Sequence, residues 1–400
     1  MNNKHVAVIG AGITGITTAY YLAKLGYKVS VIEQEKYPAM RTSFANGGQV
    51  STSNSEVWTT WPNIIKGLKW MLKKDAPLLI HPTLDWSKIK WLFRFLKSTI
   101  NNEYYENTNE TILMGLESRA LYKEIIQSEN LEFDQSKSGI LHFYKNEEYW
   151  NHARKVQTLY EDAGCEFKLL GRDQVKHKDP ALYNLRGVIG GAWTTDDWTG
   201  DIHKFCNQLA QKLKTKYNVN FYFLEKVYDL QDFAIDFDCV VVSAGVGSVE
   251  LAKSINEEIP IYPVKGYSIT ITVNDEKSLN ALPKVSLLDD EAKIVTSTLG
   301  NRFRVAGTAE LNGENYDIVY DRIKPLLNWV HYNFPEIDTR NYSSFACLRP
   351  MTPNMMPITK QSDKNKKIFY NTGHGHLGWT LAPYTAKKIT EYINATYQSK

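Results

Sequence analysis

The apolar positions of the chain follow two rhythms. Short unbroken β-branched runs read as buried strands, and runs with apolar residues three and four apart read as helices. His5-Val6-Ala7-Val8-Ile9 is of the first kind. After a glycine turn, Ile16, Ala19, Tyr20 and Ala23 recur at helical spacing up to Gly26, and Val29 to Ile32 forms a second strand ending at Glu33. Ile64, Leu68 and Met71 share one helical face, and Ile89, Leu92, Phe93, Leu96 and Ile100 share another, so two amphipathic helices are predicted over about 62–100. Between 110 and 185 the pattern predicts a helix through Leu113, Leu116 and Leu121, a strand over 139–144 and a helix over 150–163; a glycine-rich strand follows over 185–193. A helix starts at Gly200-Asp201, followed by strands over 220–224 and 226–228. Cys239 to Val242 is a buried strand that ends in a small, glycine-rich turn leading into a helix. Strands over 262–271, 293–298 and 301–308 precede a helix over 323–334. The last strand, near Phe369, runs into Gly373-His374-Gly375 and a helix from about Ala382 to Ile393.

The first element set carries chemistry. Gly10, Gly12 and Gly15 stand as GxGxxG between strand and helix, and Glu33 follows Gly12 by about 20 residues. Gly10 allows the tight turn, Gly12 a close approach of backbone to a pyrophosphate, and Gly15 close packing of helix on sheet. The helix N-terminus offers free N–H groups to phosphate, and the acid suits a ribose. A dinucleotide site is therefore expected here. The strand at Cys239 looks like a second nucleotide-facing strand of the same sheet, so the residues between form an inserted domain.

Composition adds exclusions. With 43% hydrophobic and 23% charged residues the chain is globular, and a formal charge of +3 points to no nucleic acid. The four cysteines are scattered without a CxxC pair, against a zinc site or a disulfide framework. No apolar stretch is long enough to span a bilayer. One region departs from the average. Trp58, Trp61, Trp70, Trp86 and Trp91 are half of the ten tryptophans, and eight Lys and Arg lie between Lys66 and Lys97 against Asp75 and Asp85. Basic helices with Trp, Phe and Leu opposite their lysines fit interfacial membrane binding as well as a solvated face packed on the body. The loop from Arg41 to Ser51, rich in small and glycine residues, follows the ribose strand and is expected near the same ligand.

Taken together, several segments carry a resemblance. They are the N-terminal fingerprint, Ser43 to Ser51, the basic Trp-rich helices, Tyr262-Pro263-Val264-Lys265-Gly266-Tyr267-Ser268, Arg304 to Glu310, Leu348-Arg349-Pro350-Met351-Thr352-Pro353, and Asn371-Thr372-Gly373-His374-Gly375 with Leu377-Gly378-Trp379-Thr380. With these the chain resembles, nearly end to end, the flavin-dependent D-amino-acid oxidase superfamily, and within it the bacterial D-amino-acid dehydrogenases of small-subunit type.

The resemblance implies an α/β fold: a discontinuous Rossmann-like FAD-binding domain over 1–57, 186–258 and 345–400, with an inserted α+β substrate domain over 58–185 and 259–344 containing an antiparallel sheet. It implies bound FAD and oxidative deamination of a D-amino acid, with hydride passing from Cα to flavin N5 and the imino acid hydrolysing to a 2-oxo acid and ammonia. Electrons would go to a membrane quinone chain, on the cytoplasmic side of the bacterial inner membrane or in the cytoplasm. By position, Gly10, Gly12 and Gly15 line the pyrophosphate and Glu33 the ribose. Thr42, Ser43, Asn46 and Gly48 lie along pyrophosphate and flavin, and the Val227 backbone meets the adenine. Ala244 and Gly245 border the nucleotide, and Gly373, His374, Gly375, Gly378, Trp379 and Thr380 the flavin pyrimidine edge. Arg349 matches the carboxylate-binding arginine, Lys265 and Tyr267 border the substrate side, and no general base is nominated. Cys347 sits where related sarcosine oxidases bond the flavin covalently, although a buried thiol with non-covalent FAD is the default. The chain departs from the family at Asn354-Met355-Met356, where members usually carry Asp-Gly. A related flavin amine oxidase using oxygen on glycine, sarcosine or an imino acid, and a flavoprotein subunit without turnover, stay open.

Overall fold

The computed structural model describes residues 4–70, 77–82 and 84–398. Among them, two large sheets organise the chain. The first has six strands in the order Ile358–Gln361, Ile368–Thr372, Cys239–Val242, His5–Ile9, Lys28–Glu33, Asn220–Phe223. All pair in parallel except Ile358–Gln361, so the C-terminal ends of the other five share one edge. The β-branched runs suit such a sheet because both faces are covered. Val6, Val8, Val29 and Val31 point to one face, under the helices Ile13–Lys24, Ile202–Lys216 and Gly378–Gln398. Ala7, Ile9, Ile32 and Val242 point to the other, against Leu230, Leu251 and Ile255.

The second sheet runs Tyr342–Met351, Tyr262–Thr272, Arg302–Leu311, Ile294–Leu299, Ser286–Asp289, Ile140–Tyr144, Gly190–Thr194, Lys168–Gly171, with Leu78–Ile80 alongside Arg302–Leu311. Tyr267, Ile269, Ile271, Phe303 and Val305 bury one face against the helix Tyr320–Asn333. The opposite face carries the loop from Arg41 to Ser51. Ser268 Oγ donates to Ala45 O at 2.7 Å, Ser297 Oγ to Gly47 O at 2.7 Å and Arg304 Nη1 to Asn46 O at 3.2 Å. Strands Gly190–Thr194 and Tyr342–Met351 belong to this sheet, although they fall in or overlap the stretches 186–258 and 345–400.

Several elements differ from the sequence reading. Residues 226–228 are not a strand, because Leu224 turns left-handed (φ +60°) and the chain leaves the sheet after Glu225 N bonds Glu33 O. The last helix begins at Gly378, with Pro383 inside it. Pro383 has no N–H for the Trp379 carbonyl, and Tyr122 Oη donates to that oxygen instead at 2.5 Å. The amphipathic region is helix Trp61–Trp70, strand Leu78–Ile80 and helix Trp86–Ile100, and Met71 lies outside the described residues. In the segment Asn354-Met355-Met356, Met355 itself adopts φ +64°. The turn survives because Met356 N bonds Asn354 Oδ1 at 3.2 Å and the Met355 side chain is buried, its sulfur accepting from Trp58 N.

Candidate active site

The shared edge of the parallel strands gathers the glycine turns. Gly10 has φ +102°, and a Cβ on it would fall 2.5 Å from Ser243 O. A Cβ on Gly15 would fall 1.8 Å from Gly10 O, so this glycine lets the helix close on the strand. Gly12 precedes the helix without a side-chain cap, and Ser43 Oγ accepts from Ile13 N at 3.2 Å. Glu33 accepts from Ala11 N at 2.6 Å and Glu35 N at 2.9 Å. Burial pushes its carboxyl up, and those two N–H groups oppose the shift. Ser243 Oγ is buried beside this turn without a hydrogen-bond partner among the described residues. The open start of the helix, a hydroxyl unpartnered among the described residues and a carboxylate at the next strand end suit the pyrophosphate and ribose of a dinucleotide.

The loop from Arg41 spans from this turn to the second sheet. Thr42 Oγ1 donates to Leu348 O at 2.8 Å, and Asn46 Oδ1 accepts from Gly48 N at 3.0 Å. Gly48 has φ +75°, and a Cβ there would meet Ser297 Oγ at 2.9 Å. Arg304, which the sequence placed in a strand but gave no role, is buried under this loop; its Nε has no partner among the described residues, and burial pushes the guanidinium down to about 10.

Arg349 lies on the face of its strand that looks toward this loop. It pairs with Val264, and a Cβ on neighbouring Gly266 would fall 2.3 Å from its Nη2. Arg349 Nη1 donates to Thr308 O at 3.0 Å. Thr308 has φ +61° at an irregularity in the strand pairing, which aims its carbonyl at the guanidinium. Arg349 makes no ion pair among the described residues. Burial lowers its pKa, with the Cys347 thiol opposing. Burial raises the Cys347 thiol, against the pull of Arg349, which keeps it protonated.

Lys265 and Tyr267 do not join Arg349. Successive strand residues point to opposite faces, and these two share the face that packs on helix Tyr320–Asn333. Lys265 Nζ donates to Asn315 Oδ1 at 2.7 Å and Tyr267 Oη to Glu310 Oε2 at 2.8 Å, while His81 Nε2 meets Glu310 Oε1 at 2.7 Å. This buried polar cluster ties the strand Leu78–Ile80 to the second sheet.

The turn after Ile368–Thr372 divides its residues. His374 points inward: its Nε2 meets Thr385 Oγ1 at 2.8 Å, and burial pushes the ring down to about 3, so it stays neutral. Trp379 is a core residue, edge-on to Trp198 at 5.6 Å. Thr380 Oγ1 accepts from Ser51 N at 3.2 Å. Gly373 (φ +77°), Gly375 (φ +56°) and Gly378 shape the backbone, and Gly245 O, next to Ala244, accepts from Thr372 Oγ1 at 3.2 Å. Val227 sits half-buried beyond the end of the outer strand. His376, which the sequence reading passed over, stacks on Trp58 with ring centroids 4.8 Å apart. Its only signal in the sequence is its place in the same glycine turn.

A dinucleotide cradle on a parallel sheet, beside a second sheet carrying an arginine with no ion pair among the described residues, fits a two-sheet FAD-binding oxidoreductase. The family model described as "DAO: FAD dependent oxidoreductase" matches residues 5–392, and the chain belongs to this family. It is 43% identical over 403 residues to a D-amino acid dehydrogenase 3 of Mesorhizobium japonicum, covering 97% of this chain and 96% of that one. It is 34% identical over 408 residues to a D-amino acid dehydrogenase of Dechloromonas aromatica, covering 97% and 96%. Among solved structures, glycine oxidase of Bacillus cereus is similar with TM-score 0.74 at 18% identity, covering 98% of this chain and 96% of that one. L-Proline dehydrogenase of P. horikoshii is similar with TM-score 0.75 at 15% identity, covering 98% and 94%. At these identities the two structures establish the fold alone.

Proposed function

We propose that this chain oxidises D-amino acids to 2-oxo acids and ammonia and passes the electrons to a membrane quinone. The observation that carries the reading is Arg349, a partly buried guanidinium with no ion pair among the described residues, facing the loop that leads from the dinucleotide cradle. A planar fork of this kind suits an α-carboxylate and fixes the Cα beside it. The names of the curated relatives support the D-amino acid. FAD, when bound, supplies the acceptor for the Cα hydride. Gly10, Gly12, Gly15 and Ser43 hold its pyrophosphate, Glu33 its ribose and the Val227 backbone its adenine. Thr42, Asn46, Gly48, Ala244 and Gly245 border the groups between. The backbone from Gly373 to Thr380, at the start of the last helix, presents N–H groups to the flavin edge. The six-stranded sheet with its helices is the FAD domain, and the mixed sheet is the substrate domain. FAD is held without a covalent bond to Cys347.

The test is direct. The oxygen-free yellow protein should bleach with D-alanine or another D-amino acid and recover with a quinone analogue faster than with oxygen. Acid precipitation should leave all colour in the supernatant. Bleaching by glycine or sarcosine but by no D-amino acid overturns the substrate reading.

A lipid surface is the proposed site of quinone reduction, on the cytoplasmic face of the inner membrane. No helix among the described residues is long and apolar enough to cross a membrane. The exposed side chains of Trp61, Leu68, Leu84 (97% exposed), Trp86 (82%), Phe93 and Ile100 cluster on the two basic helices and the segment between them. This pattern fits insertion into a headgroup layer beside anionic lipid. The protein should sediment with anionic vesicles, and Trp86→Ser with Phe93→Ser should release it. Equal sedimentation of the variant removes this surface from membrane binding.

A further inference from the structure

The substrate of an α-amino acid oxidation has a second polar handle, its amino group, and the proposed site so far names nothing for it. One ring in the structure meets the requirement. His376 is stacked: its ring lies on Trp58 at 4.8 Å with 21° between the planes, and the nearby Asn54 backbone favours its protonated form, against the pull of burial. Its Nε2 is buried and has no hydrogen-bond partner among the described residues. In a neutral imidazole one nitrogen carries the proton and the other the lone pair, so Nε2 serves as an acceptor in the tautomer protonated at Nδ1. A buried acceptor left unpaired is costly unless a ligand completes it.

The ring also faces the right place. The turn 373–377 closes over the end of the strand that carries Arg349. Met351 bridges to His374, and a Cβ on Gly375 would lie 2.6 Å from Met351 Sδ. Met351 shares the Arg349 face of that strand, since the two are two residues apart. The charges that act on His376 are those of Arg349 and Lys293, both cationic; with burial they push the ring down to about 4, so it is neutral at physiological pH.

From this geometry we infer that His376 Nε2 accepts a hydrogen bond from the substrate amino group while Arg349 holds the carboxylate. Two substituents of Cα are then fixed, and the remaining two can take only one arrangement about the cofactor, which gives the site its handedness.

The inference rests on Arg349 as the carboxylate site, and a pair of inert ligands separates the two. 2-Aminoisobutyrate has an α-amine but no Cα hydrogen, so it binds without being oxidised. Isobutyrate is the same carboxylate without the amine. Titrated into the FAD-loaded protein and read by flavin difference absorbance, the wild type should bind the amino ligand about tenfold more tightly, the worth of one hydrogen bond to a buried acceptor. His376→Leu should bind both alike, with isobutyrate unchanged, and His376→Gln should restore part of the preference. If isobutyrate does not bind the wild type, the carboxylate reading falls and this inference with it. If isobutyrate binds and His376→Leu keeps the full preference, only the His376 assignment falls. Should the variants lose FAD, the wild type still decides: equal binding of the two ligands overturns the inference.

Discussion

Arg349→Leu should raise KM for a D-amino acid by roughly two to three orders of magnitude while the protein stays folded and yellow. Two charge-assisted hydrogen bonds to a carboxylate are worth about 3–4 kcal/mol in a desolvated site, which sets that range. The fold does not depend on the charge. Arg349 has no ion pair among the described residues, and its one protein hydrogen bond is to Thr308 O. A partly buried guanidinium with one hydrogen bond and no countercharge among the described residues adds little to folding, so removing it should leave the melting temperature unchanged or slightly raised. Arg349→Lys keeps the charge but not the fork and should fall between the two. Tyr267→Phe, on the other face of the neighbouring strand, should leave KM alone. Steady-state kinetics and thermal unfolding of the four proteins check this. A KM for Arg349→Leu within twofold of the wild type takes Arg349 out of the site.

The contrast between Arg349 and Tyr267 shows where the sequence stops being legible. The first strand, turn, helix and acid are readable because each requirement is local: glycine where a Cβ would strike Ser243 or the Gly10 carbonyl, and β-branched residues where both sheet faces are covered. Lys265 and Tyr267 lie in a segment close in space to Arg349, but their face is set by pairing with a strand about eighty residues away. Alternation along 262–271 was visible; the partner register was not. The same holds for the basic helices. Lys88 reads as part of a solvated lysine face, yet it is buried and its Nζ donates to His81 O at 2.6 Å. Trp91, one of the five tryptophans of the basic region, is buried and donates to Met351 O at 2.8 Å. Helical spacing shows that a face is apolar, and tertiary contacts decide how much of it is covered. In the last turn, His374 and His376 differ only in what their rings meet: Thr385 for one, Trp58 for the other.

Gly15→Ala should be the most damaging single methyl in the chain. The added Cβ would sit 1.8 Å from the Gly10 carbonyl oxygen, which is backbone and cannot swing aside. Helix Ile13–Lys24 must lift from strand His5–Ile9, and its neighbours Ile13 and Ile16 are already buried in the core shared with the last helix. Overpacking of this kind costs about 3 kcal/mol or more. The lift also displaces the amides after Gly12, so FAD should be lost along with stability. Gly245→Ala isolates the other role of glycine. Its φ is +58°, but nothing lies within 4 Å of the added Cβ, so only the left-handed backbone is penalised, by about 1 kcal/mol. The expected order is therefore the reverse of what backbone angles alone suggest. Gly15→Ala should come off a sizing column colourless with a melting temperature lower by several degrees, and Gly245→Ala should stay yellow and close to the wild type. If Gly15→Ala retains its flavin and its melting temperature, the close contact of helix and strand does not hold the cradle in shape.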